Sequence, residues 1–115
     1  MNKYHQFLQN ATAIDDSYEA IRCIDLIAKK LLEIIAIKHS MGVPMTVTDA
    51  MGLFDLASPA TLHRKIDMLR EAGLIEMIFV GKNRRTKYLG PTDLTNDYFS
   101  KMGKAVLETL NSSCK

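Results

Sequence analysis

The stretch from Ser58 to Gly73 constrains the fold most, because it carries strong start and stop signals for one helix. Serine suits the N-cap position, and Pro59 suits the first helical position, where its missing N–H is not needed. Glycine is a usual residue just past a helix end, so the pattern predicts a helix over residues 58–72. The apolar side chains of this helix share one narrow arc, which must therefore face a core. They are Leu62, Ile66 and Leu69.

A β-hairpin with a basic tip is predicted directly after this helix. Residues 74–80 are rich in branched and aromatic side chains and indicate a strand, and residues 86–89 indicate the returning strand. The polar loop between them begins with Gly81, and Gly90 and Pro91 are expected to end the second strand.

Positive charge is concentrated in this helix and hairpin. Residues 58–90 hold seven basic and three acidic side chains, a net charge of +4. The rest of the chain holds eight basic and ten acidic side chains, a net charge of −2. Although the overall charge is only +2, this third of the chain is distinctly basic. Such charge asymmetry indicates a polyanionic partner.

A long helix is predicted earlier in the chain, over residues 18–39. Two adjoining apolar stripes run along it, and Asp15, Asp16 and Ser17 are candidates for its N-cap. Gly42 and the proline that follows it are expected to end it. The stripes cover more of the helix than one small domain needs. The helix is either wholly a core element or partly an interface with a second subunit.

Two further helices complete the expected fold. Thr48 is a cap candidate for a short helix over residues 49–53, and Asp93 or Thr95 for a last helix that reaches Leu110. The fold class is thus mainly α with a small β-hairpin, in a single domain. In chain order we expect a flexible or partly helical lead-in over 1–16, a core and dimer helix over 17–40, a helix-turn-helix with a wing over 46–92, and a C-terminal helix over 93–111.

The outer face of the 58–72 helix and the hairpin tip are the candidate functional surfaces. Small and hydrogen-bonding groups in the first two helical turns suit a reader of the DNA major groove. Asp67 and Glu71 repel phosphate, so only the N-terminal half of that face is expected to approach DNA. Arginines of the tip suit a narrow minor groove, and its lysines suit phosphates. The candidate DNA-binding residues are Ser58, Ala60, Thr61, His63, Arg64, Lys65, Lys82, Asn83, Arg84, Arg85 and Lys87.

Over roughly residues 46–103 the chain resembles the MarR-type winged-helix regulators. The segment SPATLHRKIDMLREAGLIE is similar to that family's recognition helix and the start of its wing, and NRRTKYLGPT is similar to the wing and its return strand. By this resemblance Arg85 takes the position of the family's wing arginine, and Asn83 stands where the family usually has aspartate. The resemblance implies a homodimer that binds double-stranded DNA and regulates transcription. It also allows a small-molecule effector as a further partner.

A protein-interaction module is the alternative that the residues leave open, since fold alone does not decide function. The outer helix face would then be apolar or shaped for a partner. Thr61 and Arg64 together with the basic tip favour DNA instead. Both surfaces also have a simpler interpretation, as a solvated helix face and a hairpin that its charge keeps soluble.

Enzymatic chemistry, cofactors and metals are not expected. His5, His39 and His63 lie far apart, and none has a partner at metal-ligand spacing. The glycines do not form a phosphate-binding fingerprint.

Compartment and membrane association are predicted from the cysteines and the apolar stretches. Cys23 is expected to be a small hydrophobe in the long helix, and Cys114 lies next to the last residue. Residues 1–10 do not resemble a signal peptide, and the apolar stretch over 21–37 is interrupted by charges. We therefore expect a protein of the reducing cytoplasm with no membrane partner.

Overall fold

The computed structural model describes residues 1–112, and within them the chain is mainly helical with one two-stranded antiparallel hairpin. This confirms the expected class of a mainly α chain with a small hairpin. In chain order the elements are α1 (Lys3–Ser17), α2 (Glu19–Arg22), α3 (Leu26–Ser40), α4 (Val47–Met51), α5 (Pro59–Glu71), β1 (Ile75–Ile78), β2 (Tyr88–Pro91) and α6 (Asp93–Asn111).

Helix α5 begins and ends where its sequence signals predict. The Ser58 hydroxyl accepts a hydrogen bond from the Thr61 N–H at 3.3 Å, and Pro59 occupies the first turn. Gly73 follows the C-cap residue with a φ of +75°, in the left-handed region that glycine tolerates best. The predicted apolar arc is buried in the core, where α5 packs against α3.

The hairpin forms as predicted, but β2 lies two residues later than expected. It pairs with β1 in an antiparallel register that sets Ile75 opposite Pro91. Pro91 therefore belongs to the strand as its last residue, where the missing N–H is tolerated. The N–H of Leu89 donates to the Met45 carbonyl at 2.7 Å, and this bridge comes from outside the hairpin. Pairing with a distant residue thus helps to decide where β2 lies.

The prediction of one long helix over residues 18–39 is wrong, because the structure divides it into α2 and α3. Asp25 marks the break. Its Oδ1 accepts a hydrogen bond from the Ala28 N–H at 2.8 Å and so starts α3. Its Oδ2 accepts one from the Lys65 ammonium of α5. The expected core role of α3 is confirmed by its buried residues Ala28, Leu31, Leu32 and Ile35.

The predicted flexible or partly helical lead-in is instead the regular helix α1. This helix runs antiparallel to α6 and packs against it. The Lys3 ammonium donates to the Ser112 carbonyl at 2.9 Å near one end, and the Tyr98 hydroxyl donates to Asp15 near the other. We call α1 and α6 together the arm. The candidate N-cap residues before position 18 therefore lie at the end of α1 rather than at the start of the next helix.

Two cap positions differ slightly from prediction. Thr46, not Thr48, caps α4, and it forms a capping box with Asp49 in which each side chain meets the other's backbone N–H. Thr92, just before the expected candidates, caps α6 through the Thr95 N–H.

The expectation for Cys23 is also wrong. Cys23 is the C-cap residue of α2 and is exposed, because the helix ends there instead of carrying its apolar face onward. Cys114 lies outside the described residues.

Candidate nucleic-acid interface

The first two turns of α5 present most of the helix residues predicted to bind DNA. Ala60, His63 and Arg64 are exposed, and Thr61 is half-buried beside them. Their position follows from the buried arc of α5, because side chains opposite that arc must face solvent. The surface at the start of the helix is therefore polar and accessible.

Hydrogen bonds link the side chains of Ser58, Thr61 and Arg64. The Ser58 hydroxyl donates to Thr61 Oγ1 at 3.0 Å, and Arg64 Nη2 donates to the same oxygen at 3.3 Å. The threonine hydroxyl therefore connects the helix cap to the arginine one turn later. The guanidinium is held towards the N-terminal end of α5.

The neighbouring histidine faces the acidic half of the helix. Nδ1 of His63 lies 3.4 Å from Oδ2 of Asp67, one turn further on, and both side chains are more than half exposed. The carboxylate thus lies beside the histidine.

Lys65 is the one predicted helix residue that the structure turns towards another element. Its ammonium donates to Asp25, and its side chain is only 18% exposed. The hydrogen bond from Lys65 lowers the pKa of Asp25 below its ordinary value, and the capping bond from Ala28 acts in the same direction. Lys65 joins α5 to the start of α3, a role that sequence reasoning missed.

The predicted tip residues Lys82, Arg84, Arg85 and Lys87 are all exposed in the loop between β1 and β2. Asn83 organises this loop. Its Oδ1 accepts a hydrogen bond from the Arg85 N–H at 2.8 Å, and its Nδ2 lies 3.5 Å from Thr86 Oγ1. An asparagine therefore makes the local backbone contact that an aspartate carboxylate could also make.

Phe79 is a second residue that sequence reasoning missed. The Arg84 guanidinium lies over its ring, 5.4 Å from the centroid, in a cation–π contact. The two adjacent arginines of the tip therefore differ, since Arg84 lies on an aromatic ring while the backbone of Arg85 is held by Asn83. An aromatic residue at the solvent end of a strand, five positions before an arginine, was the available signal.

A cleft of about 870 Å³ lies between α3, α6 and the end of β2. Its apolar side chains include Ile34, Ile37 and Phe99, and its polar ones include Lys30 and Glu33. This volume falls within the usual range for small-molecule sites.

Neither a metal centre nor a membrane span is found among residues 1–112. No group of three or more histidine, cysteine or acidic side chains in this range is placed to hold a metal ion. None of the helices in the same range is both long and apolar enough to cross a bilayer.

Comparison with known proteins supports the fold and no more. No protein-family model and no curated protein sequence matches the chain. Among solved structures, the chain is similar to the crystal structure of RV1404 from Mycobacterium tuberculosis, with a TM-score of 0.61 at 16% sequence identity. The match covers 90% of this chain and 65% of that one, so the chain spans less than two thirds of its neighbour's length.

Proposed function

We propose that this chain is a winged-helix protein that binds duplex DNA in a sequence-specific manner and regulates transcription as a homodimer. In this proposal α4 and α5 form the helix-turn-helix, and α5 enters the major groove with its N-terminal half. The hairpin is the wing, and its tip contacts the adjacent minor groove or backbone.

The observation that carries this proposal is the exposed cluster of four basic side chains at the tip of a hairpin that directly follows α5. Phosphate contacts supply most of the non-specific affinity for DNA, and a basic tip provides them. The polar start of α5 supplies groups that can read base edges. The acidic residues of α5 lie in its C-terminal half. They would therefore repel phosphate away from the proposed contact and not within it.

The arm supports the proposal of a homodimer. Apolar side chains remain exposed near its free end, where Tyr4 is 65%, Leu107 60% and Leu110 66% exposed. Because α1 and α6 run antiparallel, these side chains lie at the same end of the arm, and a second copy covering that end would remove them from water. A two-fold dimer would place two copies of α5 about one helical turn apart on DNA, and the expected site is a rough palindrome. The cleft between α3 and α6 is where we place the small-molecule effector that the resemblance allows.

The test is binding to duplexes selected from a random pool, measured by fluorescence anisotropy across a salt series. The parent should bind with an affinity that falls steeply with salt. An Arg84→Ala/Arg85→Ala variant should lose affinity, and its slope of log K against log salt should fall by up to about 2, since each phosphate contact contributes about 0.9.

Lys104→Ala is the control for charge outside the tip, because it removes one exposed positive charge from the arm. It should keep the parent's slope. If the tip variant binds as well as the parent at every salt concentration, the wing takes no part in binding. If the parent selects no duplex, the proposed function is wrong.

A protein-interaction module remains the second candidate, favoured by Phe54. This side chain is 73% exposed in the connection between α4 and α5 and lies at a small groove lined also by Leu53 and Leu56. A module of this kind should show no strongly salt-dependent binding to generic DNA, so the salt series separates the two candidates.

A further inference from the structure

We infer that Arg64 reads one guanine in each DNA half-site and that Thr61 is the residue that positions it. The inference rests on the proposed DNA-binding function and adds to it a base and the side chains that recognise it. Its basis is the hydrogen-bonded chain at the start of α5.

The hydrogen bonds among Ser58, Thr61 and Arg64 orient the Arg64 side chain before any DNA is bound. Thr61 Oγ1 lies 3.0 Å from the Ser58 hydroxyl and 3.3 Å from Arg64 Nη2. Because Thr61 is one turn earlier than Arg64, this contact draws the guanidinium towards the N-terminal end of the helix. That end of a recognition helix is the part that reaches base edges. An arginine already held in one orientation has less conformational freedom to lose on binding.

The held guanidinium keeps the donors that guanine recognition needs. A guanidinium carries five N–H donors in a planar fork, and the contact with Thr61 uses one of them. The others include a parallel pair that matches O6 and N7 of guanine, which is the commonest specific contact in the major groove. Thr61 is therefore a positioning residue, and Arg64 touches the base.

The charge of Arg64 is also not neutralised within the protein. Asp67 lies three positions later on the same helix, a spacing at which an acid commonly pairs with an arginine. Its Oδ2 instead lies 3.4 Å from Nδ1 of His63. Within residues 1–112 no carboxylate is within ion-pair distance of Arg64. The side chain can therefore carry its full charge to the DNA.

The experiment uses the selected duplex with each guanine replaced in turn by 7-deazaguanine, which lacks the N7 acceptor. The parent should lose affinity at one guanine per half-site, by less than the roughly 5- to 150-fold expected for a whole bidentate contact, because the O6 acceptor remains. Arg64→Met keeps an unbranched side chain but has no N–H donor, so it should weaken binding to the unmodified duplex and show no further loss on that replacement.

Two threonine variants test the positioning role. Thr61→Val removes the hydroxyl but keeps the N–H that binds Ser58, so α5 should remain capped, which circular dichroism and urea unfolding would check. It should reduce the guanine discrimination while keeping the salt slope, and Thr61→Ser should restore the discrimination.

Each outcome bears on a different part of the inference. If the parent binds duplexes in a salt-dependent manner but no single guanine is sensitive, the assignment of guanine is wrong while the proposed function stands. Full discrimination in Arg64→Met would exclude Arg64 as the reader, and full discrimination in Thr61→Val would exclude the positioning role. A parent that binds no duplex overturns both the inference and the proposed function.

Discussion

At the scale of single residues, Asp25 shows how one carboxylate can stabilise two helices. One oxygen caps α3 through the Ala28 N–H at 2.8 Å, and the other accepts a hydrogen bond from Lys65 of α5. The two side chains differ in exposure, at 44% for Asp25 and 18% for Lys65, so water screens part of this ion pair. The capping bond is thus the larger expected contribution to stability.

Substitutions of Asp25 should separate the cap from the ion pair. Asp25→Ala loses both, and we expect the free energy of unfolding to fall by about 1–2 kcal/mol. Asp25→Asn keeps a capping oxygen and should lose less than about 1 kcal/mol. Because folding lowers the pKa of Asp25, the ion-pair contribution is present above about pH 4 and is lost as the pH falls through the folded pKa.

Urea unfolding at neutral and acidic pH checks this prediction. The difference between Asp25→Asn and the parent should be measurable at neutral pH and should shrink in acid. Asp16→Asn makes the same charge change at an exposed position of α1 and serves as the control. An equal effect of Asp25→Asn at both pH values would contradict the assigned ion pair.

At the scale of elements, a polar and aromatic joint holds α1 on α6 where the arm meets the rest of the fold. The Tyr98 hydroxyl and the Lys29 ammonium both donate to Asp15, the latter at 2.6 Å, and Tyr18 donates to Asp97. The Tyr18 and Tyr98 rings meet edge to face with centroids 5.4 Å apart. Burial raises the pKa of Tyr98, and the hydrogen bond to Asp15 and the negative charge of that carboxylate raise it further.

Loss of this joint should loosen the whole arm. Tyr98→Phe removes a hydrogen bond to a charged group and should lower the free energy of unfolding by about 1.5–3 kcal/mol. Asp15→Ala should cost at least as much, because it leaves both the tyrosine hydroxyl and Lys29 without their partner. Tyr4→Phe, at an exposed position of α1, is the control and should have little effect.

The same joint predicts a change in stability at alkaline pH. Since folding raises the pKa of Tyr98, its contribution is present at neutral pH and is lost as the pH rises above about 10. An ultraviolet titration should find a step above the ordinary range of tyrosine, and Tyr98→Phe should lose that step. A titration in which the variant keeps that step would contradict this assignment.

At the scale of the whole molecule, the described chain is elongated, with principal extents of 55 × 30 × 25 Å. Leu107 and Leu110 lie near the end of the arm where Lys3 meets Ser112, whereas the start of α6 contacts β2. Residues for the proposed DNA contact and residues for the proposed dimer contact therefore lie in different elements. A substitution can therefore disrupt the proposed DNA contact without changing the proposed dimer surface, and the reverse is also true.

A charge placed on the arm tests this division. Leu107→Glu should convert the proposed dimer into a monomer of half its mass, as measured by light scattering, because the apolar contact would have to bury a carboxylate. Affinity for a palindromic site should fall by about 10²- to 10⁴-fold through loss of bivalency. Glu108→Gln, at the next exposed position, should change neither quantity. A variant that remains dimeric would exclude this surface as the interface.

Helix α5, the hairpin and the buried arc could be predicted from the sequence, because the signals for these features are local. The cap joins Ser58 to the N–H three residues later, and Gly73 supplies its own backbone freedom. The candidate tip residues were predictable for a related reason, since charged side chains in a hairpin loop remain exposed wherever the hairpin packs.

The helical state of α1, the break before α3 and the position of β2 could not be predicted locally, because they depend on packing between distant parts of the chain. Their stabilising contacts join residues far apart in the chain: Asp15 with Tyr98, Asp25 with Lys65, and Met45 with Leu89. A segment with weak periodicity becomes a helix when another helix covers it, because most helical stability in proteins comes from packing rather than from intrinsic propensity. Such partners depend on the overall fold, and the residues adjacent in sequence do not indicate them.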